Sequence, residues 1–464
     1  MRLTSTLDER DDEPQDLQAL VQDWFSTRIA KLSIEPTPIL DLELSSLKPP
    51  LNSILPKTIK TAVRDVANVL SVKVTSLPRR QWNSTQQRFL NQQLDCIMTA
   101  SVDKTVKFYT RDTFQLVETF SFETPVLSTV SYPRQCDRLF AAATMDGTVI
   151  VVDVVTRQRV VTLKHHSKYV PKLAFSPDGK WFASLGYDKQ IVLYQVTETL
   201  HCQEQDSDED DKLATTPQLS FIKRHTINTR TNPEACVFLP DSTFFVWTTR
   251  DSNLLHELEL PLNQSNKEED DDEIDWNKRE RKYNLNENQQ DDWVSFSILH
   301  ITLHPHLPVL ALQTSTDNAR ILLYPFHSSR RIATVYTTAS QSEYTTTARH
   351  VWLPCPKLTD RSNVGDSGAA LVVNSDDGIV RIVDLNSKVL KRLGAHGQAF
   401  VGEDDDDDEE GQESLELRTE RARLRRQRDK GSSVIKDVDC WITDRGQLVV
   451  VSCGFDKTVK VMTV

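Results

Sequence analysis

Apolar and polar residues along this 464-residue chain fall into short runs that repeat. Seven times an apolar run ends on an aspartate-containing turn and a second apolar run follows. The copies read SVDKTVKFY at Asp103, TMDGTVIVV at Asp146, GYDKQIVLY at Asp188, TRDSNLLHE at Asp251, STDNARILLY at Asp317, SDDGIVRIV at Asp377 and GFDKTVKVM at Asp456. Each reads as a hairpin: strand, tight Asp turn, strand. Seven hairpins in series predict a repeat protein, in which binding surfaces between repeats matter more than a single cleft.

A second register runs ahead of the first. An apolar strand ends in a Pro turn at Pro78, Pro133, Pro177, Pro240, Pro305 and Pro354; the seventh copy has Asp444 in the same place. Proline presets a turn and cannot continue a central strand. In the first and sixth copies the stretch from Pro to Asp is about twice as long, which predicts a loop insertion. A fourth apolar segment often follows, as in TFQLVETFSF, RQRVVTLKHH, RRIATVYT and SKVLKRLG. Asp103, Asp146 and Asp188 lie 43 and 42 residues apart; later spacings stretch to 63, 66, 60 and 79. Four short strands in a unit of this length form the blade of a β-propeller, and the longer spacings predict insertions.

These residues resemble the WD40-repeat family over roughly residues 69–464. The resemblance rests on the DGT and DKT turns, on FSPDGKWFASLGYDKQIVLY, and on His165 or His166 and His396 where that family places its Gly-His pair. The Trp-Asp dipeptide is replaced by Tyr109-Thr110, Val152-Asp153, Tyr194-Gln195, Tyr324-Pro325, Val383-Asp384 and Met462-Thr463. The resemblance implies an all-β, seven-bladed propeller acting as a protein-interaction scaffold. Each turn Asp then has a structural role, accepting turn amides.

Closure predicts a strand from the opposite terminus, because the chain runs out at Val464 after three strands of the seventh unit and an open blade would leave an unpaired edge. PILDLELSSL alternates Leu40, Leu42 and Leu44 with Asp41, Glu43 and Ser45, so residues 38–46 are expected to pair with VKVMTV. Ahead of it, Leu17, Leu20, Val21, Trp24, Arg28 and Ile29 follow helical spacing, predicting an amphipathic arm over 15–32. Leu17, Leu20, Val21, Trp24 and Phe25 are similar to the apolar positions of a LisH motif, which implies a dimerising or partner-binding helix. A second helix is expected in PKTIKTAVRDVANVL, with Ile59, Val63 and Val66 on one face. The division expected is a helical arm over 1–35 and a propeller over 36–464, with insertions at 202–217, 264–292 and 397–432.

Composition changes the picture in three places. The net charge of −12 is concentrated in CQEQDSDEDD, NKEEDDDEID and EDDDDDEEGQE. Such runs bury no apolar area and read as solvated loops, or as attractors for a basic client such as a histone tail, a ribosomal protein or a Lys-rich peptide. An Arg-rich helical stretch at 414–431 follows the third run, but no aromatics interleave with it and nucleic acid is not the expected partner. Seven scattered cysteines without a Cys-x-x-Cys pair point to reduced thiols of the cytosol or nucleus. No 18-residue apolar run predicts a membrane helix, and the acidic start MRLTSTLDERDDEPQ does not read as a signal peptide.

No catalytic arrangement stands out. His300, His304 and His306 have metal-compatible spacing, but His304-Pro305 occupies the Pro turn of the fifth unit. Gly-x-Ser-x-Gly, phosphate-loop and His-Glu-x-x-His patterns are absent, and no cofactor is expected. The expected function is a non-catalytic adaptor in a nuclear or cytoplasmic complex. A receptor or chaperone-like binder of a basic client is the alternative, and a propeller-based enzyme a remoter one.

Overall fold

The computed structural model describes residues 58–83, 88–134, 138–199, 218–261, 275–286, 294, 296–315, 319–339, 348–353, 370–396, 434–443 and 445–464. They form seven four-stranded antiparallel sheets. Blade 1 holds Val69–Asn83, Arg88–Ser101, Thr105–Thr110 and Leu116–Ser121; blade 2 runs from Val126–Ser131 to Arg159–Leu163. Blade 3 spans Lys172–Phe175 to Gln218–Asn228, blade 4 Pro233–Phe238 to Glu280–Asn284, and blade 5 Ile298–Leu303 to Ala333–Tyr336. Blade 6 spans His350–Trp352 to Val389–Gly394. Blade 7 holds Ile435–Ile442, Leu448–Gly454 and Thr458–Thr463, and takes its fourth strand, Thr58–Arg64, from the other end of the chain.

The blades form a ring. The first strand of each packs on the first strand of the next, from Val69–Asn83 round to Ile435–Ile442 and back, so these strands line a central channel. Seven apolar clusters fill the seven interfaces between neighbouring sheets. The seventh joins Val69, Val72 and Ile97 of blade 1 to Val449, Val451, Val459 and Val461 of blade 7 and closes the circle. The second strands LFAAAT and WFASLG are buried at every position, because they are covered by a neighbouring blade on each face. Burial of this kind, about 25 cal/mol per Å2 of apolar area, is the main source of stability.

Two expectations at the closure are corrected. The closing strand is Thr58–Arg64, paired from Thr58 with Thr463 to Arg64 with Thr458; it takes the edge of Thr458–Thr463 that residues 38–46 were expected to fill, and 38–46 lie outside the described residues. The same pairing replaces the expected helix in PKTIKTAVRDVANVL. Its Thr and Val content suits a strand, and helical spacing at 59, 63 and 66 could not outweigh an open sheet edge. Val66 is 83% exposed in the turn that follows. The arm over 15–32, with Leu17, Leu20, Val21, Trp24 and Phe25, also lies outside the described residues.

Pro133, Pro177, Pro240 and Pro305 sit at turns between first and second strands. Pro78 does not. Strand Val69–Asn83 runs through it, with Pro78 opposite Gln93, and the long spacing in this unit is an extended hairpin rather than a loop. A first strand is a sheet edge, so a proline without an N–H is accommodated there. In blade 4, Glu280–Asn284 falls inside the stretch expected as insertion 264–292 and supplies the fourth strand, preceded by a single helical turn at Trp276–Arg279.

Candidate functional site

Strands alternate in direction, so the Asp turns and the connections between blades lie at one end of the ring. The turns themselves are tied in several ways. In blade 3, Asp188 accepts from Ser167 N (2.9 Å) and pairs with His166 Nδ1 (3.1 Å), whose Nε2 meets Ser184 Oγ at 2.8 Å. Of the two neighbouring histidines, His166 makes this contact; His165 Nδ1 meets Tyr194 OH instead. Blade 7 repeats the arrangement with Asp456, His396 (2.8 Å) and Ser452 (2.9 Å).

Blades 1 and 6 use a cation four residues on. Lys107 Nζ reaches Asp103 at 2.8 Å and Arg381 binds Asp377 at 2.5 Å. Burial raises the Asp103 carboxyl, but bonds from Lys107 and Thr105 outweigh it and hold the group at about 2. Lys107 also binds Asp65 at 2.9 Å, while Asp65 N donates to Lys457 O, so this lysine ties blade 1 to the chain just after the closing strand. In blade 2, Asp146 accepts from Thr144 Oγ1 and Thr148 N.

Blade 4 departs from the pattern. Asp251 is exposed with φ +50°, and Ser252 Oγ accepts the amide of Leu254. The left-handed residue elsewhere follows the Asp: Lys104, Gly147, Lys189, Gly378 and Lys457. Asp317 lies outside the described residues.

The Asp-turn end also gathers exposed apolar side chains. Val66, Val102, Met145, Tyr169 and Val294 all lie in turns or connections at this end, and Met145 is 54% exposed. Tyr169 packs on Tyr187, with ring centroids 4.6 Å apart. Tyr187 OH donates to Glu234, which Arg250 Nε contacts at 2.7 Å. Five large apolar residues exposed at one end of a ring are points at which a partner can be held.

At the same end lies a charged channel mouth whose members are far apart in the chain. Lys73 (blade 1), Lys172 (blade 3), Arg349 (blade 6) and Lys436 (blade 7) stand on or beside first strands, half-buried among their neighbours. Asp437 is buried and bridges two of them: Lys73 Nζ lies at 3.4 Å and Arg349 Nε at 3.7 Å. Its Oδ2 also accepts Ser71 Oγ and Val72 N, and Asp439 accepts Val74 N. Carboxylates of blade 7 thus cap edge amides of blade 1 that no strand can reach. His300 Nδ1 accepts His350 N at 3.2 Å in the same manner.

The charges are unevenly compensated. Burial would raise Asp437, but Lys73 and Arg349 hold it below the usual carboxylate range. Burial would lower Lys73, but Asp437 and Asp439 keep it above its ordinary value. Lys172 is compensated less: burial, then Arg349 and Lys436, outweigh Asp437 and Glu234 and hold its ammonium well down. Burial and Arg349 pull Lys436 to about 8. Burial, aided by Arg349, lowers His350 to about 3, so it is neutral, meeting Thr302 Oγ1 at 2.7 Å and Gln313 Oε1 at 2.9 Å.

His300, His304 and His306 do not converge. His300 faces His350, while His304 Nδ1 accepts the amides of His306 and Leu307 in the Pro turn. No group of three or more metal-ligating side chains occurs among the described residues. No helix among them is long and apolar enough to cross a membrane.

Residues 157–195, from the last strand of blade 2 through the third of blade 3, match a family described as WD domain, G-beta repeat. The match is to a WD40 repeat. Together with the seven blades it supports a WD40-type β-propeller, a fold typical of protein-interaction scaffolds. The chain is also similar to U3 small nucleolar RNA-associated protein 21 of Saccharomyces cerevisiae, 31% identical over 100 residues. That stretch is 22% of this chain and 10% of the yeast protein.

Proposed function

We propose that the protein is a non-catalytic scaffold that grips partner proteins on its Asp-turn end. The observation that carries this reading is the exposure of Val66, Val102, Met145, Tyr169 and Val294 at one end of a ring whose seven interfaces are packed. A rigid frame presenting apolar loops holds a partner without reorganising. The likeness to a small nucleolar RNA-associated protein supports a place in an RNA-associated assembly, held there by protein contacts, in the nucleus or cytoplasm. A basic client captured by the acidic runs draws no support from the described residues, whose channel mouth is cationic.

The test is affinity capture with quantitative mass spectrometry, comparing the full chain with a Met145→Glu, Tyr169→Glu variant. Both side chains are exposed, so the fold is expected to tolerate the change. The reading expects specific partners to be depleted at least about ten-fold, the effect of losing one or two interface anchors. An unchanged partner set would remove the Asp-turn end as the binding surface.

A further inference from the structure

We propose that the channel mouth at the Asp-turn end is a seat for one anionic side chain, carboxylate or phosphoryl, presented by a partner peptide. The proposal rests on the scaffold reading and names the chemistry of the partner. Three observations carry it.

The first is placement. Lys172 opens the first strand of blade 3, Lys436 is second in that of blade 7, and Arg349 immediately precedes that of blade 6. All three therefore stand at the same end of strands that line one channel. The second is compensation. The Lys172 ammonium makes no hydrogen bond or ion pair among the described residues, whereas the nearby carboxylates are engaged: Asp437 by Lys73, Arg349, Ser71 and Val72, and Glu234 by Arg250 and Tyr187. Burial is the first cause of the lowered Lys172 ammonium, and among the charges around it Arg349 and Lys436 outweigh Asp437 and Glu234. Lys436 is lowered first by burial and then by Arg349, against Asp437, Cys453 and Asp376. An arriving anion relieves that repulsion. The third is the set of exposed apolar side chains at the same end of the ring, which would seat residues flanking the anion.

A peptide fits better than a nucleic acid. The cations converge on one mouth instead of tracking along a groove, and a chain of net charge −12 repels a polyanion.

The experiment titrates the full chain with inorganic phosphate, and separately with acetate, at ionic strength held constant with sodium chloride, and follows the melting temperature. Wild type is expected to show a saturable rise, since a ligand bound only by the folded state stabilises it. Lys172→Met and Lys436→Met are each expected to raise the half-saturating concentration about ten-fold or more. Half-saturation should also climb as pH rises through about 8, where Lys436 loses its charge. An equal response in wild type and both variants, or one independent of pH, overturns the seat.

Two peptides of one sequence, carrying glutamate or phosphoserine, are then compared with a glutamine control and an oligouridylate. Tighter binding of either anionic peptide than of the control, lost in Lys172→Met, supports the assignment and identifies the anion. Lys172-dependent binding of the oligouridylate alone overturns it. The two readings fail separately. A phosphate response insensitive to Lys172 sinks the seat while captured partners stand; capture of no partner by wild type sinks the scaffold while the titration stands.

Discussion

Blades 1 and 7 are neighbours in the ring and carry the same turn sequence, DKTVK, at 103–107 and 456–460. They hold that turn differently. In blade 1, Lys107 grips Asp103 and Asp65. In blade 7, His396 enters from the preceding connection and bridges Asp456 to Ser452. The deciding residue is two positions before the Asp. Blade 7 has Gly454, where a Cβ would stand 3.0 Å from His396 Nδ1 and 2.6 Å from Val434 O. Blade 3 has Gly186, where a Cβ would overlap both His166 and Asp188. Blade 1 has Ser101, whose hydroxyl donates to Asn68 O and accepts Asp103 N. A side chain at this position thus excludes the histidine, and the turn draws its support from elsewhere.

Substitutions that exchange the two solutions break or sharpen this comparison. The largest expected effect is Gly454→Ser. It crowds a backbone carbonyl and displaces His396, and should cost about 3 kcal/mol in urea denaturation. His396→Ala leaves the collision out but strips Ser452 and Asp456 of their partner, for an expected loss of about 2 kcal/mol. If the two cost the same, the displaced histidine accounts for the whole effect and the glycine has no packing role of its own.

Lys107→Met comes next, at about 1–2 kcal/mol, because buried Asp65 loses its cation. This variant also changes the acid limb of the stability curve. Asp103 is depressed in the fold, from an ordinary 3.8 to about 2, so its contribution is present above 3.8 and lost as pH falls through 2. Without Lys107 the carboxyl moves back toward its ordinary value, and stability measured by denaturation should fall less steeply in that window than in wild type. An unchanged slope would mean that the Asp103–Lys107 pair contributes nothing to the turn. Ser101→Gly is the smallest change, about 0.5–1 kcal/mol, reflecting one lost hydroxyl and a freer unfolded backbone.

The strand repeat was legible in sequence because each blade restates it locally: LFAAAT, WFASLG and LVVVSCG announce buried second strands without any tertiary information. The closing strand was not. TIKTAVR carries apolar residues that fit a helical face as well as a strand, and only the open edge of Thr458–Thr463 decides between them. The histidine networks could have been placed more sharply, since the glycine in GYDK and GFDK marks the two turns that admit one. The channel mouth was beyond reach. Lys172, Arg349 and Lys436 sit in unrelated contexts far apart in the chain, and only ring closure brings them together.

The account depends on that closure, and a cross-link tests it most directly. Val63 of the closing strand lies opposite Val459 of blade 7. Cross-strand pairs stand at disulfide distance, about 4.5–5.5 Å between Cα atoms. A Val63→Cys, Val459→Cys variant should, on mild oxidation, yield a peptide in mass spectrometry that joins the two segments and disappears on reduction. A folded protein, verified by circular dichroism, that never yields that peptide would contradict the closed ring.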